Sequence, residues 1–416
     1  MLNPYFLMTL LFAALAGLAA VDASAASLNL LPWFNGLRWL RVHFITLGLF
    51  VEVAFGILPG LVAARSGRPN PKLRWDIWLA LNAGLITLAI GVPLANAVLM
   101  AAGGTLVFAA AAWLWGQVRA LSPTSPARGQ PLGRPFYLAG LGFLLVGIIA
   151  GTGLWLGWGE ALGMVRPKEV HLHANLWGFT SLMMAGLIVD LYAGFAGRPL
   201  AWPRSVPAIF WLLVIAGLGL LAAPWLGVDA LTAPSLILHH LATAGLVLNL
   251  VRPLLGDRAQ WTAGLWHLVA GYLWILAPLV AAPLVMLSGA ALPAASLEAS
   301  APPLLVYGWL LQFALAVVPY LFARLLLPGQ PARLGGTWLS LLLVHLGGLF
   351  YVPGIFIDRY QALLQGIGFA CWAVALLPVG AQMWRLVQAG WARWESQGAA
   401  PPVDGLSMAD QSRGGE

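Results

Sequence analysis

Charge and cysteine are what this chain has least of. Only 8% of its 416 residues are Asp, Glu, Lys or Arg, against 61% apolar residues and a mean hydropathy of +0.86. A soluble domain of this size carries roughly a quarter charged residues, so a water-exposed surface is excluded and the solvent is lipid. The one cysteine, Cys371, excludes an intrachain disulfide, a thiolate-held cluster and a CxxCH haem attachment. Any cofactor must therefore be held by His, Met or oxygen. Also missing are a Walker loop, a dinucleotide fingerprint, an HExxH zinc motif and a nucleophile elbow. The net charge of +7 reports orientation in a bilayer rather than nucleic-acid binding, since basic residues gather on the cytoplasmic side of membrane proteins.

What is present is a succession of apolar runs. About 20 such residues cross a hydrocarbon core, and helices are the spanning form for runs of this length. The pattern predicts an all-α polytopic bundle with twelve spans, near 5–22, 40–64, 77–95, 97–118, 136–157, 171–195, 206–226, 234–252, 262–287, 303–326, 336–356 and 361–386. The third and fourth share one uncharged stretch, divided at Pro93 to Asn96 because forty residues exceed a single crossing. The first 26 residues end in Ala23-Ser-Ala-Ala26, like a cleavage site, but carry no basic start, so a retained first helix is expected. With both termini cytoplasmic, 16 of the 21 basic residues fall inside, and Arg38, Arg41, Arg166, Lys168 and Arg359 remain outside. That bias predicts a multi-pass protein of the cell's inner (cytoplasmic) membrane, with the lipid bilayer as its first partner. Residues 1–394 read as a single transmembrane domain, and the polar tail 395–416 as a disordered cytoplasmic segment.

The chain also repeats itself. His43, Gly48, Gly56, Gly67, Arg68 and Pro69 recur as His173, Gly178, Gly186, Gly197, Arg198 and Pro199, each displaced by 130 residues. A second shift of 130 reaches Pro303 in place of histidine, Gly308 in place of glycine, and Gln312 where Glu52 stood. Descent from a duplicated four-helix unit is expected, with repeats near 40–169, 170–299 and 300–394.

Seven histidines, His43, His171, His173, His239, His240, His267 and His345, lie in or beside these spans, where an ionisable side chain is costly and usually functional. The first three, with His239 and His240, fall in the outer third of their helices. His345 lies near mid-membrane and His267 toward the inside. Five imidazoles from three helices at one depth suit a cofactor held in a bundle. His171 and His173 sit about 200° apart around a helix, so they can serve two cofactors on opposite flanks. His239 and His240, about 100° apart, converge on one small ion or leave one residue as a helix contact. Glycines five residues after His43, His173 and His240 either leave room for a flat macrocycle or allow close helix packing. Thr46 and Thr243 stand three residues after a histidine, as ring-nitrogen partners or as ordinary back-bonded threonines.

These residues resemble the haem-copper oxidase subunit I superfamily, including nitric oxide reductases. The likeness rests on twelve spans, a three-times-four organisation, an adjacent His-His pair and a His-x-His at a helix start. The resemblance implies haem held by His171 and His173 with His43 as a partner axial ligand, and copper held by His239 and His240. His345 joins the cofactor-binding candidates. Three segments, Val170 to Phe179, His43 to Gly48 and Trp266 to Trp274, also resemble the NnrS family of membrane haem proteins linked to nitric oxide stress. The His-His pair follows the His-x-His helix here, the reverse of the oxidases, and the tenth span has no histidine. The resemblance thus implies haem binding for electron transfer or for nitric oxide or oxygen chemistry, with an electron-donor protein or a quinol as partner. Turnover is left open. Glu52, the main carboxyl placed mid-span, is the candidate for a proton path, and Asp190 reads as interfacial. The rival from another class is a secondary transporter in which Glu52, Asp190 and the histidines conduct protons or metal.

Overall fold

In the computed structural model, residues 3–30, 38–122, 131–288 and 294–397 are described. The tail from 398 onward, and with it Arg413, lies outside them, as does Arg128. Every apolar run forms a helix, because a bilayer offers no partner to an unsatisfied backbone N–H or C=O. Ten helices among the described residues are long and apolar enough to span: α1 (Pro4–Ser27), α2 (Trp39–Arg65), α4 (Ala97–Ala120), α5 (Arg134–Leu156), α6 (Pro167–Ala196), α7 (Pro203–Leu226), α8 (Asp229–Leu254), α10 (Ala299–Leu326), α11 (Trp338–Phe356) and α12 (Asp358–Ser396). Two more apolar helices, α3 (Trp75–Gly91) and α9 (Ala263–Ser288), stand between them. The chain is a polytopic all-α membrane bundle.

Local chemistry sets the helix ends. The break between α3 and α4 falls at the expected place: Ala95 turns to φ 48°, and the Asn96 side chain accepts from the Leu99 N–H at 3.0 Å to start α4, as an N-cap should. A capping box of Thr337 and Ser340 opens α11. At the other end, Gly67 and Gly197 both stop their helices with φ at +66°. Only glycine enters that left-handed region without strain.

The helices fall into two compact units, one built from Met1–Val53 with Gly256–Val403 and the other centred on Ala54–Leu255. Three helices differ from the rest in burial. The apolar windows of α2, α6 and α10 are 72%, 83% and 94% buried, whereas the other spanning helices reach at most 44%. The former are enclosed by protein on all sides; the latter turn leucines such as Leu18, Leu241 and Leu377 outward, toward hydrocarbon.

The same three enclosed helices each contain seven residues of π-helix, at Phe44–Phe50, Ala174–Thr180 and Leu304–Leu310. These segments start immediately after His43, His173 and Pro303, and so keep the 130-residue spacing. A π turn is wider than an α turn and is rare outside special sites. Each one carries its glycine against a neighbouring aromatic ring: Gly48 on Phe12 of α1, Gly178 on Phe143 of α5, Gly308 on Trp274 of α9. A methyl group on any of the three would sit inside the ring's van der Waals envelope. Of the two roles expected for Gly48 and Gly178, close packing is therefore the one observed. Gly245, five residues after His240, has only ordinary contact with Ile209.

Gly178→Ala should therefore cost about 1–3 kcal/mol by overpacking, while Gly142→Ala, where no atom lies within 4 Å, should be neutral or stabilising. Thermal unfolding in detergent checks this, with Phe143→Leu expected to recover part of the Gly178→Ala loss. Equal effects of the two glycine substitutions would refute the packing argument.

Candidate functional site

The histidines divide into three kinds by what their ring nitrogens meet. In the first kind, Nδ1 faces a backbone carbonyl. His43 Nδ1 lies 2.7 Å from the Trp39 carbonyl and the ring stacks on the Trp39 indole at 3.9 Å. His171 Nδ1 lies 2.8 Å from the Gly147 carbonyl on α5, and His173 Nδ1 lies 2.6 Å from the Leu220 carbonyl on α7. A carbonyl only accepts, so Nδ1 must carry the proton and donate, which leaves the lone pair of the neutral ring on Nε2. The Asn175 amide also approaches His171 Nδ1, at 3.2 Å, but its N–H is directed to the His171 carbonyl at 2.8 Å; the shorter carbonyl contact decides the tautomer. Gly151 makes room for the His171 ring, since a Cβ there would meet it at 2.6 Å.

His171 and His173 reach helices on opposite sides of α6, as their angular separation requires. One ion cannot be shared between them in this arrangement. In each neutral ring the lone pair is on Nε2.

The second kind is enclosed with both nitrogens engaged by side chains. His239 is 0% exposed; its Nε2 meets the Ser181 hydroxyl at 3.0 Å, its Nδ1 meets the Thr243 hydroxyl at 3.2 Å, and Trp177 packs edge-on. His267, also 0% exposed, donates from Nδ1 to Gln312 Oε1 at 3.2 Å and meets Ser340 Oγ with Nε2 at 2.9 Å. Its partner is the Gln312 that stands in register with Glu52. His239 could join the half-buried His240 on an ion only by giving up one of its two hydroxyl partners. Thr243 serves His239 rather than His240, and Thr46 bonds back to the Val42 carbonyl at 3.2 Å. Among the described residues no group of three or more His, Cys, Asp and Glu could hold a metal ion.

His345 is the third kind. The Trp274 indole donates to its Nδ1 at 3.2 Å, with the rings stacked at 5.9 Å. An indole N–H only donates, so Nδ1 holds the lone pair and Nε2 the proton, the reverse of the first kind.

Two carboxylates behave differently from one another. Glu52 is 0% exposed within α2. Asp190, toward the C-terminal end of α6, is buried within the protein at 4% exposure. It accepts from the Tyr137 hydroxyl at 2.9 Å and the Gly133 N–H at 3.2 Å, and the Arg65 guanidinium donates to its backbone carbonyl. Held from three sides, Asp190 ties the ends of α5 and α6 together. Sequence reasoning missed this clamp and the Ser181 partner of His239 because their members lie 53 to 125 residues apart.

No protein-family model matches this chain, and no curated relative does. Among solved structures the fold is similar to that of a heme-copper terminal oxidase dimer studied for its catalytic mechanism, with 13% sequence identity and a TM-score of 0.57. The match covers 97% of this chain and 85% of that one. At this identity the likeness is one of fold.

Nitrogen-15 labelling of histidine in protein prepared without haem should show His43, His171 and His173 as Nδ1–H tautomers and His345 as the Nε2–H tautomer. An Nε2–H signal from His173 would remove the basis for treating these rings as ligands.

Proposed function

We propose that this protein binds haem through His171 and His173, with His43 as a further axial ligand. In this reading it serves electron transfer or nitric oxide or oxygen chemistry near the outer face of the inner membrane. The observation that carries this is the donor set: three imidazoles, each with Nδ1 donating to a backbone carbonyl and the lone pair therefore on Nε2. Neutral imidazole is the usual iron ligand, and an Nδ1–H bonded to a carbonyl is how such ligands are oriented and made more basic. The fold likeness to a heme-copper terminal oxidase supports the same reading.

The residues fit a haem in their donor chemistry, with two separate positions on α6 because His171 and His173 face different helices. Bound iron would supply one-electron transfer and affinity for a diatomic gas. The chain's part is to fix ring orientation through the Gly147, Leu220 and Trp39 carbonyls and to exclude water from α2 and α6. Glu52, about 13 Å along α2 from His43, is the carboxyl proposed to pass a proton. His345 is left out of the ligand set because its Nε2 holds the proton, and copper because His239 is committed to hydroxyls. The electron source, a donor protein or a quinol, is proposed on the likeness alone.

The architecture proposed for this function is three copies of a four-helix unit, twelve spans with both termini cytoplasmic. The three π segments, their glycine-to-aromatic contacts and the high burial of the helices that carry them support it. The rival transporter needs Asp190 on a conducting path, and a carboxylate tied by the Tyr137 hydroxyl and the Gly133 N–H is poorly suited to that.

Purified protein from haem-replete cells should show reduced-minus-oxidised haem bands. His173→Ala should remove or shift them and His267→Ala should leave them. If the wild type shows no bands, the transporter reading takes over; if both variants act alike, the site is misplaced.

A further inference from the structure

The carbonyl that receives His173 is unusual for a helix. In α7 the α-helical partner of the Leu220 carbonyl is the N–H of residue 224, and residue 224 is proline, inside the helix. Proline has no N–H, and its ring pushes away the carbonyl four residues earlier. A carbonyl stripped of its partner inside a bilayer is costly. Here the cost is offset by His173, whose Nδ1 approaches to 2.6 Å. His171 has no such arrangement. Its acceptor, the Gly147 carbonyl, lies in uninterrupted α5, where Gly151 supplies the helical N–H, and the distance is 2.8 Å.

We infer that Pro224 is a positioning residue: by withholding a backbone donor it reserves the Leu220 carbonyl for His173, fixing that ring's tautomer and making it the stronger of the two donors on α6. The inference rests on the proposed haem ligation only for its consequence, because the tautomer itself is a property of the chain. A carbonyl relieved of its α-helical donor takes a stronger hydrogen bond from the imidazole, and a more strongly bonded Nδ1–H pushes electron density to Nε2. Outer partners of this kind typically govern 10- to 100-fold in metal affinity. The same proline fits the outer end of α7, where the Pro224 and Trp225 carbonyls each accept a loop N–H, from Arg166 and Val165 at 3.0 Å. Those bonds use carbonyls and survive replacement of proline by alanine.

The test is Pro224→Ala, which restores the N–H and favours the helix. In nitrogen-15 histidine-labelled protein prepared without haem, the variant should turn His173 from a single Nδ1–H tautomer into a mixture. His171 should stay unchanged and so report an intact fold. In haem-loaded protein, haem held through His173 should then dissociate roughly tenfold more readily. If His173 mixes its tautomers but neither protein binds haem, the functional proposal fails and the role of Pro224 stands. A His173 signal unaltered by the substitution overturns the inference. So does a simultaneous change at His171, since the effect would then be a general shift of helices rather than release of one carbonyl.

Discussion

Lipid supplies no hydrogen bonds, and that one constraint organises both the fold and the site. Inside the bilayer a backbone carbonyl must be satisfied by its own helix or by another part of the protein. Nearly all are taken in the first way. The few that a proline releases, or that have a second lone pair reachable across a glycine, become fixed acceptors at known depths. His173 uses the Leu220 carbonyl of the first type and His171 the Gly147 carbonyl of the second. These two carbonyls are therefore what hold the His173 and His171 rings in place.

Three helices bear most of these irregularities. The helices α2, α6 and α10 are enclosed where the others face outward, and each widens into a π turn where a glycine admits an aromatic ring. Enclosure lets a helix carry polar groups: Glu52, Ser181 and Gln312 each occur at or just after a π segment and each is buried. The lipid-facing side of a helix could not hold them without a penalty of several kcal/mol per unsatisfied group. Glycine packing costs little in this setting, since the ring that fills the space adds dispersion contacts the missing side chain would have made.

Much of this was legible in the chain itself, and the part that was not has one physical cause. The apolar runs located the ten long apolar helices among the described residues, and Pro93 and Asn96 placed the break in the longest run, because these signals are local. The 130-residue recurrence pointed to His43, His173 and their glycines, though not to the π turns those glycines sit in. The spacing of His171 and His173 gave their opposite directions. It did not give their acceptors, since Gly147 and Leu220 lie 24 and 47 residues away on helices whose rotation the sequence does not state. For the same reason the Ser181 partner of His239 and the Tyr137 and Gly133 partners of Asp190 were not legible.

What sits on Nδ1 decides which ring nitrogen of a histidine carries the proton, and His345 is the case that differs from His43, His171 and His173. At the position where Phe12 and Phe143 press on their glycines, α9 presents Trp274 to Gly308. Phenylalanine has no polar atom and leaves nearby imidazoles to the backbone. Tryptophan brings an N–H, and that N–H claims Nδ1 of His345, forcing the proton onto Nε2. Pro303, where the other two helices have histidine, offers no ring nitrogen at all. The same aromatic-on-glycine packing thus occurs in all three places, while the ring type and the residue before the π turn differ in the third. Packing on the glycine and hydrogen bonding to the imidazole are set by different atoms of the Trp274 ring, so the one does not dictate the other.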